Sequence, residues 1–251
     1  MSDAELSTIP SGRPASRRWS IDDPRSLVAE NSLQLREIGA SFLHGAGVEF
    51  GAASNPLPIP ADCVVTYGDT LTYEELLARL YPGQSAADMI KPTILASIED
   101  LGAVPSNLDF MASAHVIEHV PDPVGAIVRA ASKLRPGGHL LLMVPDMKET
   151  FDRHRALTTL DHLLLDFYAP SRERDKAHFQ EFYRDAFTTP EDQYEETWIK
   201  NWEERFPIHY HTWTYESFKN MVDTIVNSLS VYTEYWSHPT RGNEFCFVLK
   251  K

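Results

Sequence analysis

The sequence predicts an α/β fold in which a doubly wound, mostly parallel sheet ends in an antiparallel hairpin. Between about residues 48 and 144, short apolar runs alternate with helical patterns, which is the order of βαβ units with right-handed crossovers. Near the end of the chain, two β-rich runs flank the turn-like segment Pro239–Asn243, which indicates a hairpin. A charged, aromatic stretch at about residues 151–210 interrupts this order and is interpreted as a helical insertion.

The individual elements follow from the apolar spacing, taken in chain order. Residues 1–20 are rich in Ser, Pro and Arg and are interpreted as a flexible N-terminal arm, which leaves residues 21–251 for the α/β domain. A helix is predicted over Pro24–Leu43, with Gly45 and Gly47 as its stop. Strands are predicted at Val48–Phe50, Val64–Tyr67, Thr93–Ala96, Leu108–Ala112, Leu140–Val144, Leu229–Trp236 and Glu244–Leu249. Helices are predicted at Tyr73–Tyr81, at Val124–Leu134 and from Thr214 to about Ser228.

The insertion contains three helical patterns and no strand pattern. The first helix is expected to begin after Thr158, a suitable N-cap. Open α/β sheets bind ligands beyond the carboxyl ends of their strands, so we expect the insertion to act as a lid over that edge. The predicted helices are Thr159–Tyr168, Arg172–Phe187 and Glu191–Arg205. Their aromatic residues form either an acceptor-binding wall or the helix core: Phe179, Phe182, Tyr183, Phe187, Tyr194, Trp198 and Trp202.

Composition argues against several classes of protein. The 251 residues include 36 acidic and 23 basic side chains, a net charge of −13, which disfavours a nucleic-acid partner because such proteins need a basic face. No apolar run approaches the roughly 20 residues of a membrane helix, and the N-terminus has no apolar signal core. Two cysteines provide neither a disulfide framework nor a thiolate metal cluster, which favours a reducing cytoplasm. The expectation is a soluble cytoplasmic protein without a membrane partner. The sequence does not indicate its oligomeric state.

The turn after the first predicted strand is the first candidate ligand site. Gly51 follows the strand directly, where glycine lets the backbone turn tightly and approach a ligand. A dinucleotide fingerprint would need glycine at positions 53 and 56, which are Ala and Pro, so NAD is disfavoured. Asp69 lies 69 − 51 = 18 residues further on, close to the spacing at which nucleotide-binding α/β folds hold a ribose diol. The alternative is a loop aspartate that caps the helix near Thr72.

Two longer segments carry a resemblance to a known family. Residues 109–123 (DFMASAHVIEHVPDP) and 134–145 (LRPGGHLLLMVP), taken together, resemble the fourth-strand to fifth-strand signature of class I S-adenosylmethionine-dependent methyltransferases, whose sheet is Rossmann-like. Residues 146–166, 206–213 and 244–250 are similar to one bacterial subgroup of that superfamily. The resemblance implies transfer of a methyl group to an oxygen or nitrogen of a small molecule or glycan.

The same resemblance implies which residues bind S-adenosylmethionine. The first motif wraps the methionine part, an acidic residue after the second strand binds the ribose, and a later acidic pair meets the adenine. The residues at these positions, together with His115 in the lining of the cofactor cleft, are Glu49, Gly51, Ala52, Asn55, Asp69, Glu99 and Asp100. Ala53 and Asn55 depart from the small or glycine residues of the first motif, so a non-catalytic cofactor-binding module is an alternative.

Histidines are concentrated in and near the insertion, where seven of the ten lie. Methyl transfer needs a base only if the acceptor must lose a proton, and histidine suits that role near pH 7. We expect His119, His162 and His211 to be catalytic. His162 and Asp166 are four residues apart on a predicted helix, so the carboxylate would increase the basicity of the imidazole. An exposed ion pair without a catalytic role is the alternative.

Glu118 and His119 are the candidate metal ligands. Class I methyltransferases that act on small-RNA 3′ ends and on ubiquinone precursors resemble this chain at these two positions and hold a divalent ion near the acceptor hydroxyls. His115 stands where those groups have a further Glu, so the identity of the ion is open. A metal-dependent enzyme on the same fold is therefore an alternative, and so is a metal-free site in which Glu118 orients His119.

Overall fold

The computed structural model describes residues 24–187 and 189–251, so the predicted N-terminal arm lies outside the described residues. Within the described ranges, one sheet contains seven strands. They are β1 Ala46–Phe50, β2 Val64–Asp69, β3 Ile94–Leu95, β4 Leu108–Ala114, β5 Leu134–Pro145, β6 Glu234–Arg241 and β7 Glu244–Lys250. Their order across the sheet is β3-β2-β1-β4-β5-β7-β6.

The sheet is parallel from β3 to β5 and antiparallel at β7 and β6, which confirms the predicted fold class. Strand β1 lies between β2 and β4, so the order reverses there and opens the crevice in which such sheets bind ligands. Phe50 pairs with Gly68 on one side and with Ser113 on the other. The loops after β1, β2 and β4 therefore meet at one edge of the sheet.

The described helices are α1 Ser32–Ala40, α2 Tyr73–Glu75, α3 Pro123–Lys133, α4 Leu160–Tyr168, α5 Arg172–Glu181, α6 Glu191–Glu203 and α7 Tyr215–Thr224. Helix α1 packs on one face of the sheet, and α3 and α7 pack on the other. Successive residues of β5 alternate between the two cores, since Leu140 belongs to one and Leu141 to the other. Within the described residues, no helix is both long and apolar enough to cross a membrane.

Helices α4, α5 and α6 lie in the predicted helical insertion, which is called the lid below. Helices α5 and α6 enclose a separate small core that includes Phe179, Phe182 and Tyr183, so these three aromatics belong to the helix core. Phe187, by contrast, is 61% exposed. Where the chain returns from the lid to the sheet, the Tyr210 amide donates a hydrogen bond of 2.7 Å to the Glu118 carbonyl. This bond places the end of the lid beside the loop after β4.

Two predicted helix starts are wrong, and capping explains both. Helix α1 begins at Ser32 rather than Pro24, because the Asn31 side chain accepts from the Gln34 amide and closes the first turn. Helix α4 is capped by Thr159, not by Thr158. The Thr158 hydroxyl instead accepts from the Thr212 amide. Several residues can cap in one short polar stretch, and tertiary contacts decide which of them does.

The final hairpin is also shifted relative to the prediction. Strand β6 spans Glu234–Arg241, and the turn reduces to Gly242 and Asn243, with Gly242 at φ +64°. Pro239 therefore lies inside a strand, at a point where the register slips between His238 and Arg241. An edge strand tolerates proline at such a bulge because no partner there needs its missing amide hydrogen.

Candidate active site

The loop after β1 is fixed by Glu49 and by the backbone of Gly51. Glu49 is buried, and its Oε1 accepts a hydrogen bond of 2.7 Å from the Leu57 amide. Gly51 has φ +67°, and a Cβ at this position would lie 2.5 Å from Val116 Cγ2 in the loop after β4. The two loops that border the crevice therefore touch at a position where only glycine fits. Asn55 closes the turn by donating its amide hydrogen to the Ala52 carbonyl.

Left-handed backbone at two non-glycine residues borders the same crevice. Ala53 has φ +42° in the loop after β1, and His115 has φ +53° in the loop after β4. Such conformations cost about 1 to 3 kcal/mol each and persist where the surrounding structure imposes them, often at functional sites. Ala53, which replaces a small or glycine residue of the first motif, therefore keeps the left-handed conformation that a glycine would favour.

Asp69 ends β2 at this edge of the sheet. Its Oδ1 accepts from the Leu71 amide at 3.2 Å, and burial raises the pKa of the carboxyl above its ordinary value. Helix α2 is capped by Thr72, whose hydroxyl accepts from the Glu75 amide. Asp69 is therefore not the cap of that helix.

The predicted adenine residues Glu99 and Asp100 lie on a turn held by the Ser97 hydroxyl, which accepts from both of their amides. Asp100 is exposed, whereas Glu99 is half-buried. Burial raises the pKa of Glu99 to about 7, with a smaller opposing effect from Arg129. Glu99 can therefore gain or lose a proton near neutral pH.

His115 lies between two buried carboxylates. Its Nε2 is 2.9 Å from Glu244 Oε2, and its Nδ1 is 3.7 Å from Glu118 Oε1. Glu244 also forms a two-point ion pair with Arg36, at 2.7 and 2.8 Å. Burial alone would lower the pKa of His115, but the hydrogen bond that it donates to Glu244 and the charge of Glu118 outweigh burial and raise that pKa.

Glu118 and His119 lie together, as the sequence predicts, and His209 joins them. Glu118 is fully buried, and neither of its carboxylate oxygens has a hydrogen-bond partner among the described residues. Its Oε1 is 3.9 Å from His209 Nε2. One donor atom from each of the three residues lies within 4.8 Å of the others.

The tautomer of His119 follows from its neighbour. Its Nδ1 is 2.9 Å from the Ile208 carbonyl oxygen, which can only accept, so Nδ1 carries the hydrogen. The lone pair is then on Nε2. Burial lowers the pKa of His119 and so keeps the ring neutral at pH 7. A neutral ring with a fixed lone pair can accept a proton or bind a metal ion.

Sequence reasoning assigned no role to Asp152 or Arg155, although both belong to the lid segment that carries the resemblance. His209 Nδ1 donates to Asp152 Oδ2 at 2.6 Å. The buried Arg155 guanidinium donates to Asp152 Oδ1 at 2.9 Å and to the His209 carbonyl at 2.8 Å. Burial would raise the pKa of Asp152, but its bonds to His209 and Arg155 lower it, so the carboxylate is ionised.

An exposed aromatic surface borders the Asp152–His209 pair. The ring of Phe151 is 46% exposed and lies 4.7 Å from the His209 ring, centroid to centroid. Phe182 and Phe187 contact Phe151 at 6.1 and 6.0 Å. Such a surface suits an aromatic or apolar ligand.

The three histidines predicted to be catalytic fall into two clusters. His119 lies with His209, whereas His162 and His211 lie with Asp166 and His178, a residue without a predicted role. His209 and His211 are only two residues apart, yet they contact different clusters. Both partners of His162 are close to it: Asp166 Oδ2 at 3.0 Å and His178 Nε2 at 3.1 Å.

Burial fixes the charge of two rings in this second cluster. It is the main cause that lowers the pKa of His178 to about 4, and His162 adds to the effect. Burial also lowers the pKa of His211 to about 3, with His178 as the next contribution. Both imidazoles are therefore neutral at pH 7 and offer a lone pair.

Several known proteins are similar to this chain. A sequence profile described as a methyltransferase domain matches residues 35–225. The ubiquinone biosynthesis O-methyltransferase of Xanthomonas campestris pv. campestris is 29% identical over 180 residues, 68% of this chain and 71% of that protein. The protein of the same name from Xanthomonas euvesicatoria pv. vesicatoria is 29% identical over 182 residues, 68% and 72% of the two chains. A crystal structure of an S-adenosylmethionine-dependent methyltransferase from Thermotoga maritima shares 14% identity over 91% of both chains, with a TM-score of 0.47.

The profile match spans most of the chain, and strands β1 to β5, the glycine turn after β1 and the acidic residue at the end of β2 lie within it. The chain belongs to the methyltransferase domain family and is an S-adenosylmethionine-dependent methyltransferase.

Proposed function

We propose that the protein transfers the methyl group of S-adenosylmethionine to a hydroxyl oxygen of a small molecule, with a phenol as the favoured acceptor. The observation that carries the proposal is the neutral His119, whose Nε2 lone pair is fixed by the Ile208 carbonyl. The exposed Phe151 ring lies close by, against His209. The relatives named as O-methyltransferases support oxygen as the methylated atom.

The crevice has features that fit the cofactor. Gly51 lets the loop after β1 pack against the loop after β4, because a side chain at this position would clash with Val116. The Asp69 carboxylate at the end of β2 can accept from a ribose diol. Glu49 is buried and tied to the Leu57 amide, so its role is to hold the loop. When bound, S-adenosylmethionine supplies a methyl group already activated by a sulfonium, so the protein contributes mainly positioning.

His119 has the properties of a general base for the acceptor hydroxyl. Its Nε2 takes the proton, its Nδ1 remains hydrogen-bonded to Ile208, and its lowered pKa keeps it available at neutral pH. His209 packs against it at 4.7 Å between ring centroids, and Asp152 fixes the orientation of His209. Phe151 and Phe187 offer an aromatic face for the acceptor ring.

The base is tested by replacing His119 with asparagine, whose amide can still donate to the Ile208 carbonyl. We expect kcat for a phenolic acceptor to fall about 100- to 10,000-fold, the usual contribution of a general base. His154→Asn is the matched control, because His154 is an exposed histidine of the lid. Full activity of His119→Asn would refute this role. If the enzyme methylated amines or sugar hydroxyls faster than phenols in the same assay, the proposed phenolic acceptor would be wrong.

The cofactor contact is tested separately by calorimetric titration with S-adenosylmethionine and S-adenosylhomocysteine. Asp69→Asn keeps an acceptor for the Leu71 amide but removes the charge. Hydrogen bonds to charged groups contribute about 1.5 to 3 kcal/mol, so we expect at least tenfold weaker binding of both ligands. Asp88→Asn removes an exposed carboxylate elsewhere and should leave the affinity unchanged. Equal affinities of the two variants would mean that Asp69 does not hold the ribose.

The burial of Glu118 without a hydrogen-bond partner among the described residues favours a second candidate, a metal-assisted transfer. Glu118, His119 and His209 offer one carboxylate and two imidazoles, a set that suits Zn²⁺, Fe²⁺ or Mn²⁺. In that case His119 Nε2 would bind the ion, which would hold the acceptor hydroxyl. Methyl transfer that survives chelator, with Glu118→Gln as active as the parent, would exclude this candidate.

A further inference from the structure

The second histidine cluster lies outside the site proposed for methyl transfer. His162 and Asp166 come from α4, His178 from α5, and His211 from the segment that returns to the sheet. One donor atom of each lies within 4.8 Å of the other three. Four donors from three separate chain segments thus converge on one point.

Two of these donors are buried with little else to satisfy them. His211 Nδ1 has no hydrogen-bond partner among residues 24–187 and 189–251, and Asp166 Oδ2 has only the His162 ring, at 3.0 Å. Asp166 is 5% exposed and His211 is 1% exposed, so water does not satisfy them freely. A buried polar atom without a partner costs about 1 to 3 kcal/mol, which a bound cation would remove.

The distances match those of a metal centre. Zinc binds imidazole nitrogen at about 2.0 to 2.1 Å in a tetrahedral arrangement, so ligand atoms lie roughly 3.4 Å apart. His162 Nε2 lies 3.0 Å from Asp166 Oδ2 and 3.1 Å from His178 Nε2. Both separations are slightly shorter than the expected value, and His178 and His211 are neutral rings with lone pairs.

Outer hydrogen bonds hold the donors in place, as they do around metal ligands. Arg174 Nε donates to Asp166 Oδ1 at 2.8 Å and leaves Oδ2 for the cluster. His211 Nε2 is 3.1 Å from the Pro121 carbonyl oxygen, which fixes the hydrogen on Nε2 and leaves Nδ1 with the lone pair.

We propose that His162, Asp166, His178 and His211 bind one divalent transition-metal ion of the zinc class, which ties α4, α5 and the returning segment of the lid together. Three imidazoles and one carboxylate suit Zn²⁺ rather than Mg²⁺ or Ca²⁺, which prefer oxygen ligands. The half-exposed His162 gives the ion a path from solvent. The site uses neither the cofactor nor the acceptor, so it stands apart from the proposed reaction.

The test is calorimetric titration of tag-free, metal-depleted protein with Zn²⁺ in the absence of cofactor. His162→Gln removes one ligand at a half-exposed helix position and should preserve the fold, which circular dichroism checks. Loss of an outer partner weakens a metal site about 10- to 100-fold, so loss of a ligand should weaken Zn²⁺ binding more than 100-fold. His44→Gln, an exposed histidine, should bind Zn²⁺ as the parent does. Glu118→Gln should also keep this site, because Glu118 belongs to the other cluster.

Cobalt substitution of the parent protein gives a measurement that does not depend on a variant. X-ray absorption of the Co²⁺ form should report a four-coordinate ion with imidazole ligands. Absence of Zn²⁺ binding in the parent would overturn the proposal. Binding that survives His162→Gln but disappears in Glu118→Gln would overturn it as well, and would assign the ion to the cluster with His119.

Discussion

Replacement of Arg155 by methionine should destabilise the protein strongly. The guanidinium is buried and binds Asp152 at 2.9 Å, Glu181 at 3.0 Å and the His209 carbonyl at 2.8 Å. Methionine keeps a long apolar side chain but removes all of these donors. The Asp152 carboxylate, 2% exposed, would then remain buried with His209 as its main partner.

The size of the stability loss depends on which of the two carboxylates, Asp152 or Glu181, stays buried without its partner. Removal of one partner of a buried ion pair costs about 3 to 5 kcal/mol, because the other charge is left uncompensated. The Glu181 side chain is 23% exposed and can take up water, so only Asp152 bears the full penalty. We therefore expect a loss near the lower limit, about 3 kcal/mol, which is more than a hundredfold in the folding equilibrium.

Urea denaturation followed by tryptophan fluorescence measures this loss as a lower midpoint at unchanged slope. Arg153→Met is the matched control, since Arg153 is exposed two residues away and should change stability by less than about 0.5 kcal/mol. If the two variants differ by less than about 1 kcal/mol, the network around Asp152 does not stabilise the lid as argued.

Two further predictions concern the crevice and the pH dependence of stability. Gly51→Ala places a Cβ 2.5 Å from Val116 Cγ2 in a residue with φ +67°, so it should weaken S-adenosylmethionine binding measured by calorimetry. Gly83→Ala is the control: Gly83 also has positive φ, +90°, but no atom lies within 4 Å of the added Cβ, so this variant should bind the cofactor normally. Burial, with smaller effects of nearby cations, lowers the pKa of His139 to about 4, so between pH 4 and 6.5 the unfolded state binds more protons and stability rises with pH. His139→Gln should reduce that slope in denaturation curves taken across this range, and an unchanged slope would contradict the shift.

Much of the fold could be predicted because it depends on local pattern. Alternating short apolar runs and helical spacing predicted the parallel strands, since the central strands β1, β4 and β5 are buried on both faces and are therefore continuously apolar. Element boundaries were less certain. The choice of Thr159 over Thr158 as a cap depends on a hydrogen bond from Thr212, more than fifty residues away.

The candidate site was only partly predictable for the same reason. Glu118 and His119 are neighbours in sequence, and their proximity needs no tertiary information. Asp152, Arg155 and His209 acquire a role only through contacts between the start and the end of the lid. Charged residues beside an aromatic residue in the lid segment were the available signal, but that pattern is also typical of a solvated helix end.

The sequence by itself determined the class of fold, the glycine turn after β1 and the acidic residue at the end of β2, because strand periodicity and backbone conformation are set by neighbouring residues. Only the tertiary structure decided how the histidines divide, with His119 beside His209 and His162 beside His178 and His211. The lid folds back onto the loop after β4 and brings together side chains that no spacing connects. Metal ligands and bases depend on distances of about 3 Å, and packing alone sets those distances.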